Sequence, residues 1–65
     1  SNLEILKTQA NDLVEDYTYL SPGDPVNRRI DTITYSSIAL GITVTDTFGY
    51  GGILGDYYVT SSTLS

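Results

Sequence analysis

Cysteine, histidine, methionine and tryptophan are all missing from this chain, and lysine and arginine number three against eight acidic residues. Without cysteine there is no disulfide and no thiolate zinc site, and without histidine the commonest nitrogen ligand and the usual catalytic base are gone. A formal charge of -5 and a pI near 4.1 exclude nucleic acid as an expected partner, because phosphate contacts need clustered lysine or arginine. Arg28 and Arg29 form the only basic pair, and Asp24 and Asp31 flank them. An anionic membrane surface is excluded on the same ground. The longest nearly apolar run, Ile38 to Ile42, falls far short of the ~20 residues that span a bilayer. Ser1-Asn2-Leu3-Glu4 has neither the basic start nor the apolar stretch of a signal peptide, and the missing initiator methionine points to a processed or trimmed chain.

The shortage extends to size. A domain of 65 residues buries only roughly 60% of the surface that its unfolded chain exposes, so small scaffolds lean on disulfides, metals or neighbouring subunits. The first two supports lack their residues here. Self-association is the remaining one.

What the chain does contain falls into two periodicities. Leu3, Leu6, Ala10, Leu13, Tyr17 and Leu20 alternate three-residue and four-residue steps, the seam of an amphipathic helix expected over residues 2–20. Ser1 and Glu4 have capping-box spacing at its start. Two readings of the stripe stay open. It is either an oligomer interface in a helical bundle, built by those six residues, or the face of one helix lying on its own sheet, which Ile5 and Val14 favour by widening the apolar arc. Both readings bury Leu6 and Leu13.

Ser21-Pro22-Gly23-Asp24-Pro25 then ends the helix, and residues 21–27 read as a stiff elbow rather than a tether. Beyond it β-branched and aromatic residues take over. Arg29 to Tyr35 reads as a strand. Ile38, Leu40, Ile42 and Val44 alternate with small or hydroxylated neighbours, and Phe48 and Tyr50 continue the apolar face. One face is expected to be buried and the other wet. Gly55-Asp56 suits a two-residue hairpin that sets Leu54 opposite Tyr57 and Gly52 opposite Val59. The first hairpin turns either at Ser36-Ser37 or at Ala39-Leu40-Gly41. The expected fold is therefore α+β: a helical stem over 1–20, the elbow, and a three-stranded antiparallel meander over about 28–63 within a 28–65 segment.

Little of this inventory serves catalysis. Serine and threonine make up about a quarter of the chain, yet a hydroxyl nucleophile needs a positioned base. Asp12, Glu15 and Asp16 would gather on one helix flank, where a solvated surface explains them as well as a divalent cation does. Asp46 and Asp56 would hold a cation only if folding brought them together. Gly49, Gly51, Gly52 and Gly55 have no Lys-Ser/Thr pair after them, so hairpin punctuation is a simpler account than a phosphate cradle. No catalytic, metal or cofactor residue is assigned. Six tyrosines remain, each with an apolar face and a polar tip suited to a subunit seam or to stacking on sugars. Tyr58, on the opposite strand face from Tyr57 and Val59, is the one expected to be exposed and the candidate ligand contact.

A short heptad stem, a Pro-Gly elbow and a β segment reading Ile33-Thr34-Tyr35 and then Thr47-Phe48-Gly49-Tyr50-Gly51-Gly52 resemble bacteriophage virion appendages such as tail fibres, whiskers and small neck or baseplate proteins. The resemblance implies a homotrimer with a coiled coil entering a β head, located in the virion. Other virion proteins would be its partners, in attachment, assembly or host contact. A second likeness, to the tyrosine-containing β repeats of secreted bacterial proteins, lacks their Tyr-Asp pair.

Overall fold

The computed structural model describes residues 1–20 and 29–65, and the elbow expected at 21–27 lies outside them. Helix α1 covers Asn2–Gln9. Ser1 caps it: its carbonyl accepts the first intrahelical bond from the Ile5 amide at 3.1 Å, and its Oγ accepts from the Glu4 amide at 3.3 Å, a donor that the helix start otherwise leaves free.

The expected helix over 2–20 is cut short. Ala10 is extended, with φ -83° and ψ 120°, and the chain re-emerges as strand β1, Val14–Tyr19. Two causes act together. Asn11, Asp12, Val14, Asp16, Tyr17, Thr18 and Tyr19 all belong to the poorer half of the helix scale, and the β-branched and aromatic ones favour a pleated surface. In addition, Asp12 is held elsewhere. Its carboxylate accepts from the Ser37 hydroxyl at 2.6 Å and from the Ala39 amide at 3.0 Å, at the far end of the molecule's central hairpin. A tertiary anchor and strand propensity outweigh a seam of under three heptads.

Among the described residues the sheet consequently has four strands where three were expected. β1 is followed by β2 (Ile30–Ser37), β3 (Ile42–Ile53) and β4 (Asp56–Leu64), in the antiparallel order β1-β2-β3-β4. The β2–β3 connection is Ile38 to Gly41, with Ser37 opposite Ile42. This settles the first hairpin on its second option and removes Ile38 and Leu40 from the strand face, leaving Ile38 96% exposed. In the last hairpin Ile53 faces Asp56, so the turn is Leu54-Gly55, one residue earlier than expected. Gly41 and Gly55 supply the positive φ, 65° and 86°, that each connection needs. Gly52 faces Tyr57 and Tyr50 faces Val59, whereas Gly49 faces Ser61, so Thr60 is the extra residue of a β-bulge in β4.

Period-two alternation gives the sheet two unlike faces. One carries Ile33, Tyr35, Ile42, Val44, Phe48 and Tyr50. Against it lies α1, whose Leu6 is 0% exposed and closes a core with Ile33, Tyr35 and Val44. Leu3, Ala10, Leu13, Ile30, Ile42 and Phe48 pack around that cluster. The other face is hydroxylated. Thr18, Thr32, Thr47 and Thr63 stand opposite one another across all four strands, and Thr34 and Thr45 form a second row. Thr18 and Thr32 hydroxyls are 2.6 Å apart, and those of Thr34 and Thr45 3.3 Å. These cross-strand pairs give a wet face its own lateral cohesion.

Candidate functional site

An eight-residue helix covers only part of a four-stranded sheet, so the candidate site is built from what stays uncovered. Sheet edges come first. β4 runs for nine residues without lysine, arginine or proline, and its single charge, Asp56, sits at its first position. Apart from the bulge at Thr60, the usual protections of an edge are absent from it.

The hydrogen-bond phase shows which main-chain groups the edges offer. Thr45 and Ser65 exchange both amide–carbonyl bonds, at 3.0 and 2.9 Å. In an antiparallel ladder such pairs alternate with pairs whose groups point away. Ser62 and Leu64 therefore turn their amides and carbonyls off the sheet. Carried back through the pairings of β3, β2 and β1, the same alternation turns Glu15 and Tyr17 outward on β1. Among the described residues neither edge has a further strand beside it. Where β4 stops, a groove of about 220 Å³ opens between Asn2 and Leu3 of α1 and Thr43, Val44 and Leu64.

The end of the sheet that α1 does not reach is aromatic. The Arg29 guanidinium lies 3.9 Å from the Tyr57 ring centroid and 5.8 Å from that of Tyr50, close enough for cation–π attraction. The Tyr50 hydroxyl donates to the Ile30 carbonyl at 2.7 Å and ties β3 across to the start of β2. At the covered end the Lys7 ammonium stands 5.3 Å from the Tyr35 ring. Burial of Tyr35 first, then the Glu15 and Asp46 carboxylates, raise its hydroxyl above the ordinary tyrosine value.

The six expected seam residues do not share one stripe. Leu6 is buried under its own sheet, Leu3, Ala10 and Leu13 pack around it, and Tyr17 and Leu20 stand on or just after β1. Tyr17 is 43% exposed. The seam requires a helix reaching Leu20, and α1 ends eleven residues short of it. Tyr58 is 61% exposed, and its ring leans over Gly51 directly across the ladder, where an added Cβ would lie 3.1 Å from it.

The acidic groupings disperse. Asp12 caps the β2–β3 turn, and Glu15 and Asp16 project to opposite faces of β1. Asp46 pairs with Leu64 and Asp56 with Ile53, toward opposite ends of β4. No three acidic side chains among the described residues are grouped to hold a metal ion. The Asp12 carboxyl is held below the ordinary carboxylate value, chiefly by the Ser37 hydroxyl and then by the Ala39 amide. Sequence reasoning missed this anchor, although Asn11-Asp12 is a turn signal of the ordinary kind.

Comparison of the chain with protein-family models, with curated proteins and with solved structures finds no match.

Proposed function

We propose that this chain is a non-enzymatic assembly module that completes its fold against copies of itself. One observation carries the reading. Only four hydrophobic side chains are buried, while ten large ones are exposed among the described residues. Burial of a large apolar side chain contributes about 1.5–3 kcal/mol. Ordering a residue costs about 1–2 kcal/mol in backbone entropy alone. So thin a core leaves little surplus, and exposed Val14, Tyr17, Val59 and Leu64 beside open edges offer the area that a neighbour would hide.

The resemblance to virion appendages extends this to a role as a structural part of a phage particle, with a homotrimer as the expected count. Its β-rich portion, Ile33 to Tyr35 and Thr47 to Gly52, lies on β2 and β3. Its coiled-coil portion loses its basis with the short helix. Sedimentation equilibrium and urea denaturation across a hundredfold concentration range test the reading. A midpoint that rises with protein concentration is expected, and a monomer whose midpoint ignores dilution refutes it.

Tyr58 supports a second reading, as a glycan or receptor contact. Its ring is held over Gly51 beside the hydroxylated face, which is the arrangement of a stacking platform with hydrogen-bonding neighbours. Titration with a glycan panel, comparing the parent with Tyr58→Ala, is expected to show binding that the variant loses. A silent panel with intact folding removes this reading.

A further inference from the structure

We propose that copies of the chain join head to tail through their sheet edges, with β4 of one pairing antiparallel to β1 of the next. This inference rests on the self-association proposed above and specifies its geometry. The strands alternate in direction from β1 to β4, so a copy placed beside β4 by continuing the sheet presents its β1 in the antiparallel sense. Its hydroxylated and apolar faces also stay in line with those of the first copy. Outward groups must meet outward groups, which leaves two close registers. Tyr17 opposite Ser62 would set the Glu15 carboxylate against Leu64. Tyr17 opposite Leu64 sets two half-exposed apolar side chains together, places Asp16 beside Ser65, and puts Thr18 across from Thr63. That second register extends the Thr18–Thr32–Thr47–Thr63 row without a break into the next molecule.

The like-with-like alternatives are worse. Two β1 edges in antiparallel contact would crowd four carboxylates together with no basic residue on the strand, and would set Glu15 or Asp16 against its own copy unless the contact were centred on Tyr17. Opposed like charges destabilise a strand pair. Two β4 edges would likewise use only the stretch after the bulge at Thr60, and the register that pairs most of it, centred on Thr63, sets Leu64 against Ser62 rather than against an apolar side chain. A head-to-tail contact closes into a ring when its rotation divides a full turn and otherwise grows into a filament.

Tyr17→Glu and Leu64→Lys test this, since both side chains are about half exposed in the single chain. Association is measured by sedimentation for each variant and for their equimolar mixture, with circular dichroism confirming the fold. Each variant alone is expected to associate on the order of tenfold more weakly, because a charge is placed in the contact. The mixture is expected to recover at least pairwise association, because the unaltered β4 of one variant meets the unaltered β1 of the other. Should Tyr17→Glu associate as the parent does, or the mixture stay as dissociated as its parts, head-to-tail pairing is overturned while self-association stands. A parent chain that is monomeric throughout removes both. If either charge unfolds the chain, Ser62→Pro replaces it: the Ser62 amide points off the sheet, so proline deletes only an edge donor. Ser62→Ala then controls for the lost 2.5 Å bond to Asp46. Proline is expected to weaken association about tenfold relative to alanine, and equal association of the two overturns the proposal.

Discussion

Replacing Leu6 with alanine tests the fold most directly, because among the described residues Leu6 is the one large side chain with no exposed surface and the only helix residue in the central cluster. Leucine-to-alanine changes in cores cost about 2–5 kcal/mol, the spread reflecting how far the surroundings collapse into the space left. Here the cover is a single short helix that can settle toward the sheet, which argues for the lower half, about 2–3 kcal/mol. Small domains hold roughly 0.05–0.15 kcal/mol per residue, so a chain of this size has roughly 3–10 kcal/mol in all. The substitution therefore removes between about a fifth and nearly all of the stability. Each kcal/mol shifts the melting temperature of so small a domain by roughly 4–8 °C, so a drop of roughly 8–24 °C is expected in a thermal melt followed by circular dichroism. Leu20→Ala, on an exposed residue just past β1, should move it by under about 4 °C in the same conditions. Comparable losses at both positions would refute the reasoning, because they are what a continuous helical seam requires and a helix ending at Gln9 forbids.

Three further outcomes follow from named contacts. Asp12 has its carboxyl lowered by the Ser37 hydroxyl and the Ala39 amide, so its contribution is fully present above the ordinary value of 3.8 and fades as pH falls through the lower folded value. Denaturation midpoints of the parent and Asp12→Asn should differ at neutral pH and converge in acid; a gap that persists unchanged to the lowest pH would contradict the anchor. Gly55→Ala, at φ 86°, should lose about 1–2 kcal/mol in urea denaturation, because a Cβ in the left-handed region is strained. Tyr50→Phe should lose roughly 0.5–1.5 kcal/mol, as the Ile30 carbonyl loses its 2.7 Å donor.

Which parts of this fold can be read from the chain depends on how local their causes are. The Ser1 cap, the two-residue alternation from Ile42 onward and the glycines at turns are decided by neighbours a few residues away, and all three are legible. The exposure of Tyr58 follows from the same alternation. The identity of residues 13–20 is not local. Leu13, Tyr17 and Leu20 fall on a helical spacing by coincidence of pattern, and the choice between helix and strand is made by β2, whose Thr32, Thr34 and Ser36 accept Thr18, Asp16 and Val14 as ladder partners. The turn of the last hairpin moved by one residue for a similar reason: Gly55 serves the second position of the turn as well as the first, and pairing of Tyr50 with Val59 selects between them. Of the candidate site, the aromatic inventory was visible, but which edges lie open is a property of sheet order.

An open-edged sheet must still avoid indiscriminate stacking, and the distribution of charge bears on how. The two edges differ: β1 carries Glu15 and Asp16, whereas β4 is uncharged from Tyr57 to Leu64. With a net charge of -5, random encounters between copies are repelled, most strongly where β1 meets β1. The β4 edge, uncharged from Tyr57 to Leu64, adds no like charge to a contact. Charge thus disfavours contact between two β1 edges, whereas β4 meets either edge with little repulsion and strand register decides between them, so selectivity does not come from a matched pair of opposite charges. If so, added salt should strengthen association by screening the general repulsion, whereas an interface held by opposite charges would weaken. A salt series in sedimentation distinguishes the two, and weakening between low and high salt would count against this account.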